Sequence, residues 1–280
     1  MFESIGRSFA LVKTSWNILM DDKMLLAFPV LSGIFTLLVL VTFILPLFFT
    51  KAFESSGSIM AIVMLFLFYV VSYFVVIFFN TALISCVNAK LNGKTMSISE
   101  GLSNSVKHLP AILGWAIVAA TVGLILNLLQ ERAGFIGNIV LAVIGGVWSL
   151  VTFFVVPVLI LEDKGVFDSL KESLAMIKKT WGESMVGSAS IALIFIVIGI
   201  IGVLCVMATM FFSPLKMLFL PVLALFLLLV IILAVVYSAM QGIFVTALYM
   251  YAKTGTVPSG FNPDQIKNAF VPKKVGQGNI

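Results

Sequence analysis

Long apolar stretches alternate with short polar segments along this chain. Six stretches contain no charged residue, and each exceeds the roughly 18–20 apolar residues that cross a hydrocarbon core about 30 Å thick. They are 24–50, 55–89, 109–130, 133–161, 184–215 and 217–252. The alternation of apolar and polar residues that marks a barrel strand is not visible in them. The pattern therefore predicts an all-α, polytopic membrane protein with six transmembrane helices, at about 24–48, 58–89, 109–130, 134–161, 185–211 and 217–252.

The second and sixth predicted helices are longer than one crossing requires. At about 1.5 Å per residue they would reach roughly 48–54 Å. We expect them to tilt or to project into the cytosol. Pro214 and Pro221 are expected to bend the connection before the sixth helix, because proline lacks the backbone N–H.

The polar segments contain a repeat. Residues 2–16 read FESIGRSFALVKTSW, and residues 167–181 read FDSLKESLAMIKKTW. Six residues recur at identical offsets, as the pairs Phe2/Phe167, Ser4/Ser169, Ser8/Ser173, Ala10/Ala175, Lys13/Lys178 and Trp16/Trp181. A weaker third copy occupies 99–113. In the two strong copies, large apolar residues follow spacings of 3, 4, 3 and 4, which places them on one stripe of a helix.

Short amphipathic helices of this type lie in the plane of the membrane interface. A tryptophan suits the level of the lipid headgroups, because its ring is apolar and its N–H is a donor. The repeat therefore gives a set of candidate interfacial residues: Phe9, Lys13, Trp16, Leu174, Lys178 and Trp181.

The order of elements predicts three parallel repeats, each an amphipathic helix followed by two transmembrane helices. The repeats cover about 1–93, 97–165 and 166–255, within one membrane domain at 1–257 and before a cytoplasmic tail at 258–280. A glycine turn ends each repeat, at Gly93, Gly165 and Gly255.

Charge gives the orientation. Only 10% of the residues are charged, against about 25% in ordinary globular chains. Fourteen of the seventeen Lys and Arg residues fall on one side of the predicted helices. The excess of basic residues marks the cytoplasmic side. We therefore expect a cell-membrane protein with both termini in the cytoplasm, where the net charge of +5 contacts anionic lipids and not nucleic acid.

One motif resembles known families. The run Glu162-Asp163-Lys164-Gly165, followed by Ser169-Leu170, Ser173-Leu174, Lys178 and Trp181, looks like a signature of uncharacterised prokaryotic six-span families. It is also similar to the membrane domain fused to some glycerophosphodiester phosphodiesterases. The resemblance implies a fold and brings no catalytic residues, because the catalytic barrel of those enzymes is absent from this sequence.

Candidate catalytic chemistry is sparse. Relays and ion-coupled pumps place ionisable residues within their spans, and the predicted spans have none. His108 is the single histidine, and we expect it to have a structural role at the start of the third helix. The carboxylate pairs Asp21-Asp22 and Glu162-Asp163 are interpreted as hydrated turns at helix ends. We therefore predict no enzyme activity, no metal site and no cofactor.

The polar residues inside the spans leave two interpretations. Amides and hydroxyls can join helices by hydrogen bonds, worth about 0.6 kcal/mol each on average, or they can line a cavity. We favour the first, and Asn80 and Gln241 are the cavity candidates. Small residues in the third to fifth spans predict close helix packing: Ala119, Gly123, Gly145, Gly146, Gly187, Ser190, Gly199 and Gly202.

Two functions follow from the sequence. The first is a non-enzymatic protein that organises or senses the cytoplasmic leaflet or anchors a partner there. Its partners would be membrane lipids, with a cytoplasmic protein or a second copy of the chain as further possibilities. The alternative is a passive channel or transporter for a neutral or lipidic solute.

Overall fold

The computed structural model describes residues 2–50, 59–180, 184–211 and 218–261, and every regular element in these ranges is helical. The helices are α1 (Phe2–Asp21), α2 (Ala27–Thr50), α3 (Ile59–Leu91), α4 (Ile98–Lys107), α5 (Leu109–Arg132), α6 (Phe135–Val151), α7 (Val155–Leu161), α8 (Val166–Thr180), α9 (Ser184–Phe211) and α10 (Phe219–Thr254). A short 3₁₀ turn, Lys23–Leu26, joins α1 to α2.

Five stretches among the described residues are long and apolar enough to cross a membrane. They are Lys23–Leu45, Ile59–Leu91, Leu109–Arg132, Phe135–Leu161 and Phe219–Thr254. In α9, the described side chains include a further apolar stretch, Ile194–Thr209. The prediction of an all-helical fold is confirmed over the described residues, as is the prediction of several helices long and apolar enough to span a membrane, whereas the count of six and the three parallel repeats stay predictions.

The chain divides into two compact units. One contains residues 1–26 and 180–280, and the other contains residues 27–179. The two divisions fall inside the first and third predicted repeats. The single membrane domain at 1–257 therefore stays a prediction.

The unit of residues 27–179 is built around α3, which packs against α2, α4, α5 and α7. Its buried residues lie along the C-terminal half of α3, the first half of α5 and all of α7. At the opposite end, large apolar side chains are open, such as Ile59 at 81% exposure and Phe135 at 82%. Such side chains suit contact with lipid, because lipid tails are as apolar as they are.

The unit of residues 1–26 and 180–280 packs α1 against α9 and α10. Val12, Ile18 and Leu19 of α1 are buried, as is most of Ala239–Met250 in α10. Phe261 is buried too, and Gly260 lies beside Ile18. The first residues of the predicted tail at 258–280 therefore pack on α1, and residues 262–280 lie outside the described part.

The predicted span at 134–161 agrees with the apolar stretch Phe135–Leu161, but its helix is interrupted and not continuous as expected. α6 ends at Val151 and α7 begins at Val155. The break puts Pro157 in the first turn of α7, where the N–H that proline lacks would have no helical partner. Pro221 occupies the equivalent place in α10, which begins at Phe219, and Pro214 lies outside the described residues.

Two of the three predicted glycine turns have left-handed backbone at glycine, with φ of 71° at Gly93 and 70° at Gly255. In the middle repeat the left-handed residue is Asp163, with φ of 50°, and not Gly165. The third copy at 99–113 is also shorter than predicted. α4 ends at Lys107 because Pro110, in the first turn of α5, cannot donate to the preceding turn.

Candidate functional site

Helix α8 is held by a face that carries serines. Ser169 and Ser173 are fully buried, and Met176 and Ile177 continue the same side of the helix. The Ser173 hydroxyl donates to the carbonyl oxygen of Val151 at 2.6 Å and accepts the backbone N–H of Phe154 at 3.0 Å. One hydroxyl thus bonds the last residue of α6 and the residue directly before α7. It uses its single donor and one acceptor site.

Helix α4 docks on α3 in a related way. Ser105 is fully buried and donates to the carbonyl oxygen of Phe78 at 2.9 Å. The amide of Asn104 donates to the Ser85 hydroxyl at 2.8 Å. One turn earlier lies Gly101, where an added Cβ would be 2.7 Å from the Cys86 sulfur. The small residues of α4 therefore allow close approach of the two helices.

Helix α1 buries the side that aligns, in the sequence repeat, with the buried side of α8. Val12, Ser15, Ile18 and Leu19 are buried, while Lys13 and Trp16 point outward. The Ser8 side chain, which matches Ser173 in the repeat, lies outside the described side chains.

The docking face differs from the predicted apolar stripe. At about 100° per residue, the buried residues of α8 lie roughly a quarter turn from that stripe. Phe167 is 68% exposed, and Leu170 and Leu174 are half-buried. Exposed Lys171 and Lys178 lie on the other side of Phe167. α8 therefore has three sectors: a docked serine sector, a partly open apolar sector and a basic sector.

Of the six predicted interfacial residues, the structure places Lys13, Trp16 and Lys178 on outward faces. Lys13 and Lys178 are exposed, Trp16 is 43% exposed and Leu174 is half-buried. The Phe9 side chain and Trp181 lie outside the described part. No contact among the described residues tests their proposed role, so the interfacial assignment stays a prediction.

The serines were missed as functional candidates, although the sequence contained the signal. Ser4/Ser169, Ser8/Ser173 and the aligned Ser105 recur between copies on the side away from the apolar stripe. A recurring small polar residue on an amphipathic helix indicates close contact with a neighbouring backbone.

An ion-paired cluster joins the start of α5 to the connection between α7 and α8. His108 Nε2 lies 2.7 Å from Asp163 Oδ1, and His108 Nδ1 lies 2.7 Å from the carbonyl oxygen of Asn104. Lys164 bridges Glu162 at 2.9 Å and Glu172 at 3.1 Å. Their hydrogen bonds, that of Glu162 first, raise the pKa of Lys164. These contacts give His108 and both carboxylates positions at helix ends, as the sequence interpretation expects.

The N-terminus of α4 has a reciprocal cap. The Glu100 carboxylate accepts from the backbone N–H of Ser97 at 2.7 Å, and the Ser97 hydroxyl accepts from the Glu100 N–H at 3.3 Å. The backbone N–H of Ser97, and then its hydroxyl, lower the pKa of Glu100. The cap fixes where α4 begins.

The polar residues of the spans bond largely to their own helices. Thr246, Ser149 and Thr152 donate to the carbonyl four residues earlier. Asn80 is half-buried in α3 and Gln241 is half-buried in α10, which belong to different units. Their assignment to a cavity stays a prediction.

Close packing at small residues is confirmed at three positions. Ala119 is buried, an added Cβ at Gly123 would lie 3.2 Å from the Tyr73 hydroxyl, and one at Gly202 would lie 2.4 Å from the Phe226 ring. The expectation is wrong for Gly145, Gly146 and Gly199, where nothing lies within 4 Å among the described residues. The side chains of 187 and 190 lie outside the described set.

Metal-ligating groups are scattered. Over the described ranges, no three His, Cys, Asp or Glu residues come together in a way that could hold a metal ion. Cys86 is buried and Cys205 is exposed, and neither forms a disulfide bond.

These features define a class: a helical protein with several helices long and apolar enough to span a membrane and with shorter helices packed on them. The chain belongs to DUF6159, a family of unknown function, which it matches over residues 58–261. No curated protein and no solved structure matches it. The match thus supports an uncharacterised family and gives no link to glycerophosphodiester phosphodiesterases.

Proposed function

We propose that this chain is a non-enzymatic protein of the cell membrane that organises or senses the cytoplasmic leaflet through its amphipathic helices, or anchors a cytoplasmic partner there. Both termini would lie in the cytoplasm. The observation that carries the proposal is the three-sector surface of α8. Its serine face is occupied by the neighbouring spans and Leu170 packs against the core of the unit, whereas Phe167 and the two lysines remain open.

The open faces have the composition that an interface favours. Phe167, Leu170 and Leu174 would each contribute up to about 1.5–3 kcal/mol if fully buried in lipid. Lys171 and Lys178 would add about 1 kcal/mol each near an anionic surface. Burial of the apolar side chains would therefore set the depth of α8, and the lysines would adjust it to the lipid charge.

Helix α1 supports the same reading in the other unit. It buries one side against α9 and α10 and leaves Lys13 and Trp16 outward. The partners that fit both helices are membrane lipids. A second copy of the chain or a cytoplasmic protein would approach the same surfaces.

Depth-dependent fluorescence quenching tests the proposal. A protein with Trp16 as its single tryptophan, made by replacing Trp115, Trp148 and Trp181 with Phe, is reconstituted with lipids that carry a doxyl quencher. We expect stronger quenching by a label near the headgroup than by one near the chain end. A protein that retains only Trp115, which is 5% exposed, is the control and should be quenched weakly at every depth. Trp16 emission that responds only to an aqueous quencher would refute the proposal.

A further inference from the structure

The break between α6 and α7 has an uneven environment on its two sides. In α7, Val155 and Leu159 are fully buried against α3 and α5. In α6, Leu141 is the one buried residue, and Trp148 near the end of the helix stacks on Trp115 of α5 with ring centroids 5.9 Å apart. α7 is therefore fixed in the packed part of its unit, while the first part of α6 is largely exposed.

The backbone groups at the break form hydrogen bonds with nearby backbone and with α8. Among the nearby bonds, the N–H of Val155 donates to the carbonyl oxygen of Thr152 at 3.1 Å. The carbonyl of Val151 and the N–H of Phe154 are bonded by Ser173 of α8. A backbone group without a partner in hydrocarbon costs several kcal/mol. The geometry of the break and the position of α8 are therefore tied together.

A second contact in the same unit holds a short helix in place without touching a break in a span. Ser105 of α4 also donates to a span carbonyl, that of Phe78, but α3 runs without interruption through that residue. The Ser105 bond can only hold α4 in place. The Ser173 bond joins an amphipathic helix to the point where a span bends.

We propose that α8 is a strap that sets the bend between α6 and α7 according to the lipid surface it contacts. The inference rests on the proposed function, because it requires α8 to lie at the membrane interface. An anionic surface would draw in Lys171 and Lys178 and hold Ser173 in the break. A neutral surface would hold α8 less firmly and let α6 adopt a wider range of angles against the fixed α7.

Distance measurements between spin labels test the strap. Cysteines replace Ile59 and Ile136, which are 81% and 76% exposed at the open end of the unit, in a Cys86→Ala, Cys205→Ala background. The protein is placed in nanodiscs of phosphatidylcholine, with and without phosphatidylglycerol. We expect a narrower distance distribution with the anionic lipid. An unchanged distribution would overturn the inference.

Variants identify the residue responsible. Ser173→Ala should broaden the distribution in both lipids, and Ser173→Thr, which retains the hydroxyl, should restore the response. Ser105→Ala is the matched control and should leave the response intact. The strap would be contradicted if the anionic lipid still narrowed the distance distribution in a folded Ser173→Ala protein. It would also be contradicted if Ser105→Ala abolished that narrowing equally.

The strap and the proposed function can fail separately. A nitroxide at Phe167 reports the depth of α8 in the same nanodiscs. If that label lies at the interface and the distances between the labels at 59 and 136 do not change with lipid charge, the strap fails and the proposed function stands. If the label lies in water in both lipids, both fail.

Discussion

Replacing Gly101 with alanine should open the contact between α4 and α3. An added Cβ would lie 2.7 Å from the Cys86 sulfur, 3.1 Å from the carbonyl oxygen of Ala82 and 3.2 Å from the Phe28 ring. The Cys86 and Phe28 side chains are buried, and the carbonyl belongs to the backbone of α3. α4 must therefore move away to accommodate the methyl group.

The net effect combines two opposing terms. Overpacking of this kind costs about 1–3 kcal/mol. Alanine in a helix interior recovers about 0.5–1 kcal/mol relative to glycine. With the middle of each range, the expected net destabilisation of the docked helix is about 1.2 kcal/mol, which corresponds to a roughly 8-fold larger population of the open state.

Cys86 supplies the assay, because it lies beneath Gly101 and becomes reactive when α4 lifts. In a Cys205→Ala background it is the single thiol, since the chain has two cysteines. The rate at which a maleimide labels Cys86 should rise by the factor given above in Gly101→Ala. Gly145→Ala, at a helix position with nothing within 4 Å, is the matched control and should label at the parent rate.

Equal labelling rates in Gly101→Ala and in the parent would refute the reasoning, because they would mean that α3 and α4 do not approach as closely as described. Equal acceleration by Gly145→Ala would also refute it, since the effect would then not depend on the contact.

Three further predictions concern other contacts. Gly202→Ala should lower the melting temperature because its Cβ would meet the Phe226 ring at 2.4 Å. Gly199→Ala is the control and should not lower it, and equal melting temperatures of the two variants would contradict the prediction. The pKa of Glu100 is lowered by its cap, so the cap contributes stability above the ordinary pKa of 4.5 that is lost as the pH falls through the lower folded value. A pH titration of the melting temperature should show this loss in the parent and not in Glu100→Gln. Asp163→Ala should melt below Asp163→Gly, because both variants lose the contact with His108 and only alanine is strained at φ of 50°, at a cost of about 1–2 kcal/mol; the reverse order would count against that strain.

The long apolar helices follow from the sequence because hydrophobic length is a local property. Predicted boundaries such as 109–130 agree closely with α5 at Leu109–Arg132. The interruption in the fourth span was also encoded, at Pro157, but its bonding depends on Ser173 from a later helix. A long-range contact of that kind cannot be read from periodicity.

The same limit applies to the docking faces. The apolar stripe of α8 does not reveal which side of the helix is docked, because Phe167 of the stripe is 68% exposed whereas Ser169 and Ser173 lie deepest. In a membrane protein apolar side chains can face lipid without cost, so the contact with neighbouring helices goes to small residues that allow close approach. Hydrophobicity alone therefore identifies the helix without identifying its docked side.

Nitroxide scanning along α8 tests the central claim most directly. Labels at Phe167, Leu170, Lys171, Leu174 and Lys178 are compared for collision with oxygen, which concentrates in the lipid, and with a water-soluble nickel complex. We expect the highest ratio of oxygen to nickel access at Phe167, Leu170 and Leu174, and a lower ratio at the two lysines. Nickel access that is uniformly high at all five positions would place α8 in water and contradict an interfacial role.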